Sequence, residues 1–151
     1  MKLYLTAAAF AAALVQPASA TTFPTLTTIY VGAGIEDSGA TSANTATVIF
    51  CSNVSGVTAS IRFLILDDGN VRGDLTVSRD HAQDVTIATQ SLAAIATLSL
   101  PTDLVSGGTV NIESTQSGVF CTAAIVDTNT SGPNGVALNL VRVNPHPGTV
   151  E

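Results

Sequence analysis

The chain has 151 residues, 5 of them basic and 11 acidic, for a formal charge of −6. With so few cations it has no basic stripe to hold a phosphate backbone, which excludes a nucleic-acid partner and sets it against anionic lipid surfaces. Ile, Val, Leu and Phe are frequent enough to build a core, so intrinsic disorder is excluded as well.

Residues 1–20, MKLYLTAAAFAAALVQPASA, read as a cleaved signal peptide. Lys2 supplies the positive end, Leu5 to Val15 an apolar stretch too short to span a bilayer, and Ala18-Ser19-Ala20 the small residues of a cleavage site. Cleavage there removes one basic residue and no acidic one, which takes the formal charge from −6 to −7 and leaves residues 21–151 as one domain. No later apolar run is long enough for a membrane-spanning helix, and the expected setting is secreted or periplasmic.

Strands are predicted at 25–34, 45–53, 58–66, 71–79, 84–90, 109–115, 119–127 and 136–143, each β-branched or alternating and bounded by Gly, Asn, Asp, Ser or Pro. Glu36-Asp37 reads as the start of a polar loop, and Thr102 to Gly108 as a connection. The segment 91–100 is open between two forms: Leu92, Ile95 and Ala96 suit a helical face, while Ala96, Leu98 and Leu100 suit a strand. Asp68-Gly69 is the strongest turn signal, a type I′ or bulged hairpin. Residues 144–151 read as an extended tail carrying His146 between two prolines. Eight or nine short strands at roughly ten-residue spacing predict an all-β fold, an antiparallel two-sheet β-sandwich. Alternation places Ile49, Cys51, Ile61, Phe63, Ile65, Cys121, Ala123, Ile125, Val136, Leu138 and Leu140 in its core.

Cys51 and Cys121 are the only two cysteines. In an oxidising compartment they are expected to form one inter-strand disulfide, with two buried free thiols as the alternative. A zinc site lacks the nearby histidine that a tetrahedral shell would need. An early-strand and a late-strand cysteine at this spacing resemble those of an immunoglobulin-type sandwich, in which the bridge would join two sheets. The chain has no Trp to pack on the bridge, and Val119 stands where a tyrosine corner would place Tyr.

Chemistry-bearing groups are sparse. His81 lies between Asp80 and Asp84, a set from which a small hydrolase could be built, yet it reads as a solvated turn residue. Asp67, Asp68 and Asn70 could offer oxygens to calcium, although they lack the spacing of an EF-hand loop. No carboxylate pair suggests glycoside hydrolysis, and no cofactor is implied. After cleavage the aromatics are Phe23, Tyr30, Phe50, Phe63 and Phe120, most of them expected in the core, which disfavours a stacking platform for sugars. Asn53 and Asn129 each open a glycosylation triplet. The expectation is a non-catalytic module with a structural or surface-recognition role. Its partner would be another protein or a second copy added at a sheet edge, for which Thr21–Thr28 could serve as the inter-subunit strand. The alternatives are the His81 hydrolase and a calcium-dependent interaction module.

Overall fold

The computed structural model describes residues 22–39, 45–92, 98–129 and 134–143. The expected signal peptide, the tail with His146 and residues 93–97 of the ambiguous segment lie outside these. The described residues form ten strands and no helix. They are β1 (Thr22–Ser38), β2 (Thr45–Asn53), β3 (Ala59–Asp67), β4 (Asn70–Arg79), β5 (Asp84–Ala88), β6 (Leu98–Ser99), β7 (Leu104–Gln116), β8 (Val119–Asp127), β9 (Gly135–Leu138) and β10 (Leu140–Arg142).

Hydrogen bonding joins all ten strands into one sheet, which curls into a half-barrel. One wing runs β4-β3-β7-β1 and the other β8-β2-β5-β6, with β9 outside β8 and β10 beside β1. Every pairing is antiparallel except that of β5 with β6. Two devices connect the wings. At one end of β1, Asp37 pairs with Ala46 of β2. The second is the segment holding β9 and β10, which breaks at Asn139 and changes partners from β8 to β1.

The curl has a local cause. β1 and β7 pair along their lengths, yet the register shifts four times, twice between Ala33 and Glu36. Gly34 and Gly107 take positive φ values of 83° and 73° at these irregularities, a conformation that bends a strand and that glycine adopts without a Cβ penalty. The bends let a 17-residue and a 13-residue strand wrap one core. They also correct two expectations. Glu36 and Asp37 lie within β1, and the expected connection at Thr102 to Gly108 is already β7 from Leu104 onward, with Val105 buried.

Ile29 and Ile35 of β1, Ile49 and Cys51 of β2, Phe63 of β3 and Ile112 of β7 belong to one continuous buried cluster fed by both wings. Burial of each large side chain contributes roughly 1.5–3 kcal/mol. Two expected core members fall outside it. Val136 is 71% exposed and its ladder partner Ile125 only half-buried, because β9 ends the wing with no strand beyond it among the described residues. On the opposite face of β2 a smaller cluster holds Ala46, Val48, Ala88 and Val126, with Leu92 packed against it.

The disulfide is present, between residues whose Cα atoms are 4.2 Å apart. Cys51 and Cys121 face each other directly in the β2–β8 ladder, so the bridge staples neighbouring strands and does not join two layers as in an immunoglobulin domain. The expected hairpin is also present: Asp68 and Gly69 both have positive φ, 49° and 76°, as a type I′ turn requires. The segment from Thr22 to Thr28 is not a free arm, since it pairs with β7 of its own chain.

On the outer face of β4-β3-β7, Arg62 donates to both carboxylate oxygens of Asp74, at 2.7 and 2.8 Å, and to Glu113 at 3.2 Å. The Arg62 hydrogen bonds hold the Asp74 carboxyl below its ordinary range against a smaller opposing effect of desolvation. A carboxyl whose folded value is depressed stabilises the fold above its unfolded value and loses that contribution as pH falls through the folded one. Asp74→Asn is therefore expected to flatten the acid side of a stability-versus-pH curve slightly, and added salt to shrink the difference, because the pair is exposed. Denaturant midpoints taken across the acid range check this.

Candidate functional site

The sequence-derived candidates lie in separate places. Asp67, Asp68 and Asn70 form the β3–β4 turn. There Asp67 faces the Arg72 guanidinium at 3.6 Å and the Asn70 amide donates to the Asp68 carbonyl at 3.3 Å. Among the described residues no group of three or more His, Cys, Asp or Glu side chains gathers around a metal-sized space.

His81 sits in the β4–β5 connection, where its Nδ1 accepts the Gly56 N–H at 3.2 Å. The two carboxylates beside it in sequence point to hydroxyls instead. Asp80 accepts from Thr58 at 2.7 Å and Asp84 from Ser52 at 2.6 Å. In these contacts neither of the two neighbouring acids engages the imidazole.

Beneath this loop pair lies Asn53, fully buried at the end of β2. Its amide nitrogen donates to Val57 O at 2.7 Å and Arg79 O at 2.8 Å, and its carbonyl oxygen accepts from the Ser55 backbone and hydroxyl. With both amide protons committed and no exposure, Asn53 is not a glycosylation acceptor in the folded chain. Asn129 is exposed in the turn after β8, where its N–H bonds Asp127 at 2.8 Å.

Two features were missed in the sequence. The first is Asp37, only 1% exposed, at a cavity of about 480 Å³ lined also by Gln90, Ser91, Ser99, Pro101 and Asp103. One oxygen accepts from Gly39 N at 2.8 Å and Gln90 Nε2 at 2.5 Å, the other from Thr102 Oγ1 at 2.7 Å. Hydrogen bonds to a buried carboxylate of this number satisfy it and tie β1 to the segments before β6 and β7. Its sequence neighbours Ser38 and Gly39 read as turn residues, so no local signal announced it.

The second is aromatic. Phe50 and Phe120 are 40% and 42% exposed on the outer face of β2 and β8, where Phe50 lies opposite Thr122 and Phe120 opposite Ser52. The expectation that they are core residues is corrected here, and alternation contained the answer. With Ile49, Cys51, Cys121 and Ala123 facing inward, Phe50 and Phe120 must face outward. Arg142 of β10 stacks on this group, its guanidinium 5.6 Å from the Phe120 ring and 5.0 Å from that of Tyr30. The same guanidinium donates to Tyr30 OH at 2.7 Å, to Val119 O at 3.0 Å and to Ser117 O. It fastens β10 to both wings beside the phenylalanines.

Comparison with family models, with curated proteins and with solved structures gives no match. No helix among the described residues is long and apolar enough to cross a membrane.

Proposed function

We propose that this chain is an exported, non-catalytic β-module that acts through a surface contact, in a structural or recognition role, in a secreted or periplasmic setting. The two wings facing each other over the Phe63 core serve as the layers of a sandwich-like frame. The observation that carries the reading is the exposed pair Phe50 and Phe120, held on the outer face of the two strands that the disulfide staples. Exposed large apolar side chains, set among Ser52, Thr86 and Thr122 and beside the buried Ala46, Val48, Ala88 and Val126 cluster of the same face, cost solubility, and a contact surface gives them a use. A buried disulfide is consistent with an oxidising compartment.

The test compares oxidised protein with the Phe50→Ser/Phe120→Ser variant, first in sedimentation and then in binding to the surface of the producing cells. With both rings outward but partly covered, and Arg142 stacked on Phe120, the variant is expected to stay folded with a modestly lowered melting midpoint. Self-association or cell-surface binding falls at least tenfold below that of wild type, measured well under both midpoints. A wild-type protein that neither associates nor binds, or a variant that does so equally well, would refute the proposal.

A further inference from the structure

We propose that Asn134 is a self-modifying site, at which the backbone isomerises without an enzyme and with water as the sole co-reactant. Asn134-Gly135 is the one Asn-Gly pair in the chain, and every other asparagine is followed by a residue with a side chain or by proline. Glycine leaves the attacking nitrogen unshielded, because no Cβ stands beside it. Asn134 and Gly135 are both exposed, next to a shallow groove of about 380 Å³ that gives water access to the pair.

The ladder decides where that nitrogen points. Asp127 N donates to Asn134 O at 2.9 Å, which makes Asp127 and Asn134 a hydrogen-bonded pair. Pairs alternate along an antiparallel ladder, so the next one, Val126 with Gly135, is of the non-bonded kind. The same alternation, counted from the close Cys51–Cys121 pair on the other side of β8, agrees. The Gly135 N–H therefore points away from β8, toward an edge that no other strand covers among the described residues.

In the reaction the Gly135 nitrogen loses its proton and attacks the Asn134 side-chain carbonyl carbon. The new C–N bond closes a five-membered imide, and the side-chain nitrogen leaves as ammonia. Water then opens the ring on either side, giving aspartate or isoaspartate, with no net oxidation. Ring closure needs rotation about the backbone of Asn134, which breaks its bond to Asp127 N. Fraying at the start of a four-residue edge strand provides that freedom.

The products alter the fold locally. Isoaspartate adds a methylene to the backbone ahead of β9, and either product places a carboxylate on the ladder partner of Asp127. The strand that stitches the wings together is then loosened from its first residue onward.

The test incubates folded, oxidised protein at mildly alkaline pH and follows residue 134 by peptide mapping. Digestion with an Asp-specific protease cuts before aspartate but not isoaspartate, and isoaspartyl methyltransferase labels only the latter. The folded protein is expected to gain the mass of an acid at 134 at least tenfold faster than at Asn111 or Asn139. Asn134→Gln is expected to abolish both the gain and the label. The aged protein should melt below fresh protein, and below Asn134→Asp, which carries the charge without the extra methylene. Conversion at 134 only in denaturant, no conversion at all, or a rate equal to that at Asn111 overturns the proposal.

Discussion

Replacing Cys51 and Cys121 together by alanine is expected to lower the free energy of unfolding by about 4 kcal/mol, the chain-entropy value for a closed loop of this length. The two residues are 70 apart in sequence, and the loop between them includes β3 to β7. Without the bond, the unfolded chain recovers the freedom of that whole segment. The folded state changes far less, because the β2–β8 ladder runs through nine residue pairs and does not depend on the sulfurs for its register. A small domain has only about 5–15 kcal/mol to lose, so the variant should fold in the cold and fail at modest denaturant. Wild-type protein with a reductant should reach the same midpoint as the variant, since both lack only the covalent link. Equal midpoints for oxidised and reduced protein would show that the bridge contributes nothing to stability.

The contrast between the two cysteines and Asp37 shows what the sequence could and could not disclose. A strand writes its inward face every second residue, so Ile49, Cys51, Ile61, Phe63 and Ile65 were legible as core, and the β3–β4 turn was legible from Asp68-Gly69. The same parity had already turned Phe50 and Phe120 outward; composition-based expectation for aromatics overrode it. The bulges were not legible. Gly34 read as a strand end and Gly107 as part of a connection, yet both sit inside long strands and bend them, because pairing with a distant neighbour outweighs local turn preference. That bending converts an expected pair of sheets into one curled sheet, and it carries Asp37 into the interior. Which loops meet was not legible either. His81 meets Gly56, and Asp80 and Asp84 meet Thr58 and Ser52, through contacts that depend on the strand order.

The second large effect is expected at Asn53. Asn53→Ala should cost about 3 kcal/mol, close to the sum of four neutral hydrogen bonds at roughly 1 kcal/mol each less some local relaxation. The side chain does more than fill space. Its nitrogen binds carbonyls from the β2–β3 connection, at Val57, and from the end of β4, at Arg79, and its oxygen folds Ser55 back onto the same centre. Backbone bonds surround it: Asn53 N to Gln83 O, Ala82 N to Asn53 O, and Val54 N to Gly118 O. Three connections, β2–β3, β4–β5 and β7–β8, thus meet around fully buried Asn53 and its neighbour Val54. Alanine would leave the Arg79 carbonyl without the amide donor, while the Val57 carbonyl keeps the Ser55 hydroxyl at 2.9 Å and lies in an exposed residue, which is the relaxation that holds the cost below the full sum. Asn53→Asp separates shape from chemistry. It keeps the size and the acceptor for Ser55, but it turns an oxygen toward two carbonyls and buries a charge with no cation in contact. It should therefore destabilise at least as much as alanine. Urea midpoints for the three proteins decide the matter. An alanine variant within 1 kcal/mol of wild type, or an aspartate variant more stable than the alanine one, would mean that the loops hold together by backbone contacts alone.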